Sequence, residues 1–247
     1  MKNLFNLPNI LTLCNLICGC FAILSLFSHG FVQFPETIFF TPYFLLLAAS
    51  VFDFFDGFAA RWLQINSPIG KQLDSLADVV TFGVAPSMIM YFYLQHLQFA
   101  YSEIAFLIVV CSALRLAKFN VDERQTEGFL GLPTPANALF FGSLVCFSAS
   151  KDGLLNGTFI AESLHNQWVV VSSIVVFCYL MISEIPIFSL KFKSYGWKGN
   201  QYQYILLSIS VTILILMPLQ AMPFLIVLYV ALSVIKTFIG SRKITKN

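Results

Sequence analysis

Charged residues are scarce in this sequence of 247 residues, of which only 11% are Asp, Glu, Lys or Arg. A soluble domain needs roughly a quarter of its residues charged to cover its surface. Hydrophobic residues instead make up 58%, and the mean hydropathy is +0.80. This composition excludes an ordinary soluble enzyme, a disordered chain and a nucleic-acid-binding protein with a basic face. It predicts an integral membrane protein, in which lipid replaces water around most of the surface.

Several familiar site motifs are also missing. None of the six cysteines forms a Cys-x-x-Cys pair, and neither a Walker loop nor a dinucleotide fingerprint occurs. None of the three histidines begins the His-x-Lys motif of a covalent, phospholipase-like route. We therefore expect neither a structural disulfide nor a zinc site, and we disfavour a covalent histidine mechanism.

Long uncharged stretches predict an all-α fold, a polytopic membrane helix bundle that forms a single integral membrane domain over residues 1–247. Strands are not expected, because the apolar runs do not alternate and backbone groups in lipid must pair internally. A helix needs about 20 residues to cross the hydrocarbon core. We predict about eight transmembrane helices, at residues 9–29, 38–62, 75–97, 102–119, 133–150, 167–189, 201–217 and 222–240.

The distribution of basic residues predicts the orientation. With the N-terminus in the cytoplasm, 13 of the 14 Lys and Arg residues fall at cytoplasmic ends, and Lys151 alone falls outside. Short cytoplasmic loops of membrane proteins carry such an excess of Lys and Arg. We therefore expect both termini to be cytoplasmic.

Four of the six aspartates lie close together in the sequence. Asp53 and Asp56, three residues apart, fall near the cytoplasmic end of the second predicted helix. Asp74 and Asp78, four residues apart, fall at the start of the third. Each spacing places both carboxylates on one helix face. Because the two helices are antiparallel neighbours, the pairs are predicted to face each other at one depth.

Such a cluster predicts a divalent metal site. Even one intramembrane charge costs at least ~2.5–3.5 kcal/mol, so four carboxylates need cations to neutralise them. All-oxygen ligation suits Mg²⁺, Mn²⁺ or Ca²⁺ better than zinc. Gly57 and Ala60 share the face of Asp53 and would let a ligand approach closely. Arg61 supplies a planar cation suited to phosphate, so the residues favour phosphoryl chemistry on a diphosphate.

Three other interpretations of the aspartates are possible. They could be helix caps and loop charges beside Arg61 and Lys71, although two facing pairs make this less favoured. Acidic residues in a membrane also mark ion paths, as in a cation transporter. Transport sites usually lie near the midplane on broken helices, whereas these aspartates gather at one edge. A catalytically silent membrane scaffold is the third alternative.

The spacing D-x-x-D-G-x-x-A-R-x8-G-x3-D-x3-D, which begins at Asp53, resembles the signature of the CDP-alcohol phosphatidyltransferases at every defined position. The resemblance implies a two-metal site holding Mg²⁺ or Mn²⁺, a CDP-linked lipid, and attack by an alcohol with CMP leaving. It implies that Asp78 is the general base. The implied metal ligands are Asp53, Asp56, Asp74 and Asp78, and the implied pocket residues for CDP-diacylglycerol are Gly57, Ala60, Arg61 and Gly70.

Further segments resemble the phosphatidylserine synthase branch of that family. They are residues 8–16, 74–86, 114–120, 129–135 and 185–191. The resemblance covers residues 8 to about 195, so we expect a family core at 1–195 and two additional helices at 200–240. It implies CDP-diacylglycerol and L-serine as substrates, a homodimer, and an active site at the cytoplasmic face of the cell membrane. Glycerol 3-phosphate or inositol phosphate is the alternative acceptor.

Arg115 is the best candidate for the serine carboxylate, since Arg pairs with carboxylates through two hydrogen bonds. Asn120 is a second candidate, and Arg115 could instead anchor a lipid phosphate or mark topology. Thr12 and Asn15 could contact cytidine or form interhelical hydrogen bonds. Glu184 departs from the family pattern. It could hold the serine amine, or pair with Lys191 or Lys193 at the membrane edge.

Overall fold

The computed structural model describes residues 5–27, 36–65, 67–121, 129–149, 159–187, 200–216 and 221–244. These residues form ten α-helices, two short strands, two 3-10 turns (Glu36–Phe39 and Ser102–Phe106) and a π-helical turn at Val79–Val84. The helices are α1 Leu7–Leu26, α2 Phe40–Trp62, α3 Pro68–Asp78, α4 Ala85–His96, α5 Leu107–Val121, α6 Thr134–Ala149, α7 Phe159–Leu164, α8 Gln167–Ile182, α9 Gln201–Leu216 and α10 Ala221–Ile244.

The apolar helices confirm the predicted all-α membrane bundle. By length and composition, four helical segments are able to cross a membrane, and they are Leu7–Leu26, Phe40–Trp62, Pro68–His96 and Ser102–Val121. Four shorter apolar helices of 10–17 residues overlap the other four predicted spans in the described part of the chain. Many large apolar side chains are exposed on the surface of the bundle, where lipid rather than water is the favourable neighbour.

The third helix begins earlier than predicted, at Pro68 rather than at residue 75. Ser67 caps it by accepting a hydrogen bond from the backbone N–H of Gly70 at 3.2 Å, and proline suits the first helical position because its missing N–H needs no partner there. The first turns of α3 are polar, so hydropathy alone does not reveal them. Asp74 and Asp78 therefore lie in the second and third turns of the helix.

A π-helical turn joins α3 to α4 and was not foreseen. The turn packs tightly on α1 at Gly19, where an added Cβ would lie only 2.8 Å from the Cα of Thr81. Thr81 also donates a hydrogen bond through Oγ1 to the carbonyl oxygen of Asn15, at 3.1 Å. Single π turns often occur at functional sites, and this one follows Asp78 directly.

The prediction that the chain has no strands was wrong in one place. Phe129–Leu130 pairs antiparallel with Pro186–Ile187, two residues on each side. Helix α8 accordingly ends at Ile182 rather than at residue 189, because Pro186 cannot continue a helix. Apolar residues continue beyond the helix end, which is why hydropathy extends it too far.

Other boundaries differ by a few residues from those predicted. Helix α1 starts at Leu7 because Asn6 caps it, accepting a hydrogen bond from the N–H of Asn9 at 2.9 Å. The one-and-a-half-turn helix α7 was not predicted. Residues 217–220, where the last two predicted helices meet, lie outside the described residues.

Gly131 holds the segment after the first strand against the end of α8. Its φ is +75°, and an added Cβ would lie 2.5 Å from the carbonyl oxygen of Met181 and 2.7 Å from that of Ser183. Its N–H donates to the carbonyl oxygen of Ile185 at 3.0 Å. Only glycine adopts this conformation without strain.

We expect Gly131→Ala to lower the free energy of unfolding by about 1–3 kcal/mol, because the added methyl combines an unfavourable φ with a clash against fixed backbone oxygens. Thermal unfolding of the detergent-solubilised protein measures the change. Gly142→Ala is the matched control, since its Cβ would meet side-chain atoms of Leu46 and Tyr43 at 3.2–3.3 Å and no backbone atom nearer than the Cα of Tyr43 at 4.0 Å. Equal losses of stability in the two variants would contradict the expectation.

Candidate active site

The structure brings together the carboxylates of Asp53 and Asp56 on α2 with that of Asp74 on α3. One oxygen from each of these three lies within 4.8 Å of the others. Asp78 lies one turn beyond Asp74 and is not part of this group of three. Helices α2 and α3 therefore bring their acidic faces together, as the spacing of the aspartates predicts.

Polar side chains from α1 contact two of the aspartates. Thr12 donates a hydrogen bond through Oγ1 to Oδ2 of Asp56 at 2.6 Å. Asn15 donates through Nδ2 to Oδ1 of Asp78 at 3.2 Å. All four side chains in these two hydrogen bonds are buried. The interhelical hydrogen bonding considered for Thr12 and Asn15 is thus present, and its acceptors are the aspartates.

The group of three carboxylates fits a divalent cation. Oδ1 of Asp74 is buried and has no hydrogen-bond partner among the described residues. Buried polar atoms are normally paired, so this oxygen is suited to coordinate a ligand. No ion pair to any of the four aspartates occurs in the described part of the chain. Converging carboxylate oxygens without a neutralising side chain are the donors that Mg²⁺ and Mn²⁺ prefer.

A cavity of about 470 Å³ opens beside these carboxylates, between α1, α2 and α3. Its lining residues are Pro8, Asn9, Thr12, Asp56, Gly57, Ala60, Ile65, Ser67, Pro68, Gly70, Lys71 and Asp74. The predicted pocket residues Thr12, Gly57, Ala60 and Gly70 are among them. A Cβ on Gly57 would meet only Nη1 of Arg61, at 3.6 Å, so the helix surface there is open to a ligand.

Two of the predicted pocket residues do not line the cavity. Asn15 is fully buried beside Asp78. Arg61 has an exposed side chain, and its guanidinium lies next to Gly57 at the edge of the cavity. Both therefore flank the cavity wall rather than form it.

Three polar residues of the cavity were not predicted from the sequence: Asn9, Ser67 and Lys71. The side-chain oxygen of Asn9 would lie 3.0 Å from a Cβ on Gly70, so α1 approaches the start of α3 closely. Lys71 donates a hydrogen bond to the carbonyl oxygen of Asn120 at 3.1 Å. The signals that could have revealed them are the helix-capping pattern at Ser67-Pro68 and the position of Lys71 beside the motif residue Gly70.

A second cavity, of about 290 Å³, lies at the C-terminal end of α5. Its lining residues are Leu114, Arg115, Lys118, Phe119, Leu130, Met181, Ile182 and Ser183. Arg115 is only 8% exposed, and its Nε has no hydrogen-bond partner among the described residues. Its charge interacts with that of Asp78. Arg115 therefore connects the second cavity to the predicted base.

Asn120 does not line this second cavity. Its Nδ2 donates to Oγ of Ser75 at 2.8 Å, and its carbonyl oxygen accepts from Lys71. These hydrogen bonds fasten the end of α5 to α3. The structure thus does not bring Asn120 and Arg115 to one site.

Glu184 has a partner that neither alternative included. Its Oε1 lies 2.8 Å from Nζ of Lys118, in an ion pair between the segment after α8 and α5. Lys191 and Lys193 lie outside the described residues. The sequence could not reveal the pair with Lys118, because the two residues are 66 positions apart.

We expect Asp74→Asn to weaken binding of Mn²⁺ at least about tenfold, because it removes one of three converging carboxylates. Calorimetric titration of the purified protein with Mn²⁺ gives the dissociation constant without any catalytic turnover.

Thr12→Val should weaken binding of Mn²⁺ by roughly ten- to hundredfold, because the Asp56 carboxylate loses its orienting hydrogen bond. Glu162→Gln, which changes an exposed carboxylate elsewhere, should bind Mn²⁺ like the parent. Unchanged affinity in Asp74→Asn would rule out this metal site.

Comparison with known proteins agrees with these features. The sequence profile of CDP-alcohol phosphatidyltransferase matches residues 5–179. A CDP-diacylglycerol–serine O-phosphatidyltransferase of Helicobacter pylori is 31% identical over 248 residues, covering 99% of this chain and 96% of the relative. Proteins with that same name from Bacillus subtilis (43% identical, 52% of this chain and 69% of the relative) and Saccharomyces cerevisiae (35%, 59% and 55%) are also similar. The chain therefore belongs to the CDP-alcohol phosphatidyltransferase family.

Proposed function

We propose that this protein transfers the phosphatidyl group of CDP-diacylglycerol to the hydroxyl of L-serine, giving phosphatidylserine and CMP. The observation that carries the proposal is the group of Asp53, Asp56 and Asp74 beside a cavity large enough for part of a nucleotide. The serine specificity of similar proteins, according to their names, supports serine as the acceptor.

In this proposal, CDP lies in the cavity between α1, α2 and α3, and the diacylglycerol chains extend into lipid. Gly57, Ala60 and Gly70 leave room for the diphosphate because they carry little or no side chain. Thr12, Asn15 and Arg61 belong to the same nucleotide region. Arg61 and Lys71 contribute positive charge at its edge.

Asp53, Asp56 and Asp74 would hold two divalent ions, Mg²⁺ or Mn²⁺, with Asp78 contributing as a fourth ligand. When bound, the ions supply positive charge that neutralises the diphosphate and the departing CMP. The fit rests on the converging oxygens and on the unpartnered Oδ1 of Asp74.

Asp78 is the general base of the proposed reaction. Its Oδ1 accepts a hydrogen bond from Asn15, which fixes the carboxylate and leaves Oδ2 to accept the proton of the serine hydroxyl. The serine oxygen then forms a bond to the lipid-side phosphorus, while the bond from that phosphorus to the CMP oxygen breaks. The proton goes to Asp78 and the electron pair leaves with CMP.

The second cavity supplies the acceptor site in this proposal. Arg115 offers the serine carboxylate a buried guanidinium with an unpartnered Nε, and an unpaired buried donor gains most from a charged acceptor. Its proximity to Asp78 would place the hydroxyl of the same serine near the base. Asn120 acts indirectly, by fastening α5 to α3.

The reaction is proposed to occur at the cytoplasmic face of the cell membrane, with eight helices crossing the bilayer and both termini inside. Residues 1–195 form the catalytic core, residues 200–240 add two helices, and two chains form a homodimer. The positive-inside distribution of Lys and Arg supports this orientation.

A cation transporter is less favoured. Asp56 lies within two turns of the end of α2, and Asp74 within two turns of the start of α3. Transport sites usually lie near the middle of a membrane, on interrupted helices. The open cavity beside the aspartates also suits a nucleotide better than a bare ion.

We expect Asp78→Asn to abolish nearly all phosphatidylserine formation, since an amide cannot accept the hydroxyl proton and base catalysis contributes roughly 10²–10⁴-fold. Purified protein is assayed with CDP-diacylglycerol, Mn²⁺ and labelled serine, and the lipid is extracted. The size-exclusion profile should remain that of the parent. Undiminished synthesis by this variant would favour the silent scaffold.

The same assay tests the acceptor. With labelled serine the parent protein should form a labelled aminophospholipid, and with labelled glycerol 3-phosphate or inositol phosphate it should form none. Product from a phosphorylated acceptor, in the absence of product from serine, would overturn the serine assignment while leaving the transferase chemistry intact.

Arg115→Lys should raise KM for serine roughly ten- to hundredfold, because a point charge replaces a planar donor that pairs with a carboxylate. Kinetics at saturating CDP-diacylglycerol measure KM. The parent should also prefer serine to serine methyl ester, which lacks the carboxylate, and the variant should lose most of that preference. An unaltered preference would assign Arg115 to lipid anchoring or topology instead.

A further inference from the structure

The charge of the second cavity comes from two cations and one neighbouring anion. Arg115 and Lys118 are the basic residues in its lining, three positions apart on one face of α5. No acidic residue is among the lining residues that the structure describes. Glu184, however, directly follows the lining residue Ser183 and pairs with Lys118 at 2.8 Å.

Backbone hydrogen bonds hold the chain both before and after Glu184, so the position of its Cα is fixed. Before it, the carbonyl oxygen of Leu180 accepts from the N–H of Leu132 at 2.9 Å. After it, the carbonyl oxygen of Ile185 accepts from the N–H of Gly131, and the two-residue ladder follows. Glu184 therefore lies next to Lys118 because of the backbone arrangement, and the pair does not depend on a ligand.

The ion pair changes the charge that an acceptor meets. Lys118 and Glu184 cancel, which leaves Arg115 as the basic lining residue that makes no ion pair among the described residues and meets a carboxylate, Asp78, only at longer range. One carboxylate matches that single charge. A phosphate monoester carries about −1.5 to −2 charges at pH 7, so part of its charge would have no matching cation in the cavity lining.

We propose that the Lys118–Glu184 ion pair is a specificity-determining element, which makes the second cavity select an acceptor with one carboxylate and reject acceptors with a phosphate. The inference rests on the proposed function, because it assigns the second cavity to the acceptor. Glu184 acts through Lys118 and is a positioning residue rather than a catalytic one. Specificity of this kind arises from an unfavourable charge balance for the wrong ligand.

The test compares inhibition by glycerol 3-phosphate with turnover of serine in the full-length protein. Glu184→Gln frees the charge of Lys118, so the inhibition constant of glycerol 3-phosphate should fall about three- to fivefold relative to KM for serine, a size typical of an exposed charge pair. Glycerol, the same skeleton without phosphate, should show no such change. Glu103→Gln removes an exposed carboxylate from the distant 3-10 turn and should leave both constants unchanged.

Removal of Lys118 provides the second arm. In the double variant Glu184→Gln with Lys118→Gln, the gain in glycerol 3-phosphate inhibition should disappear. In Lys118→Gln alone, the cavity loses one positive charge while Glu184 stays, so the inhibition constant of glycerol 3-phosphate should rise more than KM for serine. This single variant decides the question if Glu184→Gln does not yield a monodisperse protein.

The outcomes separate this inference from the proposed function. The charge selection alone would be overturned if the parent turns over serine and all three variants keep the parent's ratio of the glycerol 3-phosphate inhibition constant to KM for serine. Absence of serine turnover in the parent would overturn the proposed acceptor, and the selection with it. The ion pair is supported as the selecting element if this ratio falls in Glu184→Gln and recovers the parent's value in the double variant.

Discussion

Negative charge concentrated between α2 and α3 is the constraint on which the rest of this structure depends. Three carboxylates with oxygens within 4.8 Å, and Asp78 one turn beyond, would repel one another strongly in a medium of low dielectric constant. The described residues supply hydrogen bonds but no ion pair to them. Divalent cations would neutralise this charge, and the converging carboxylate oxygens are donors that such ions prefer.

Helix α1 holds the two acidic helices in place. Its polar residues Thr12 and Asn15 each donate a hydrogen bond to one aspartate, so the buried hydroxyl and the buried amide N–H both have acceptors. Gly19 lets the π-helical turn approach α1. Small residues on α2 and α3 then leave a cavity of about 470 Å³ at the same level. The orientation of the carboxylates and the room for a nucleotide thus come from the same three helices.

In the proposed reaction, the charge balance at the second cavity selects the acceptor, at a distance from the proposed metal site. Arg115 lines that cavity and its charge interacts with that of Asp78, so the proposal relates acceptor binding to proton transfer through this residue. Lys118 lies beside it, and Glu184 is brought there by backbone hydrogen bonds around Gly131. A short antiparallel ladder in an otherwise helical protein therefore serves to position one carboxylate.

The sequence by itself determined the membrane bundle and the cluster of aspartates, because hydropathy and helical spacing are local properties. It also indicated part of the first cavity, since Gly57, Ala60 and Gly70 belong to the aspartate motif and Thr12 to a further segment that resembles the family. Only the tertiary structure decided the early start of α3 and the strand pairing, where polar turns and a proline overrule hydropathy. It alone decided the Lys118–Glu184 pair, because contacts between residues 66 positions apart depend on how helices pack and leave no periodic signal.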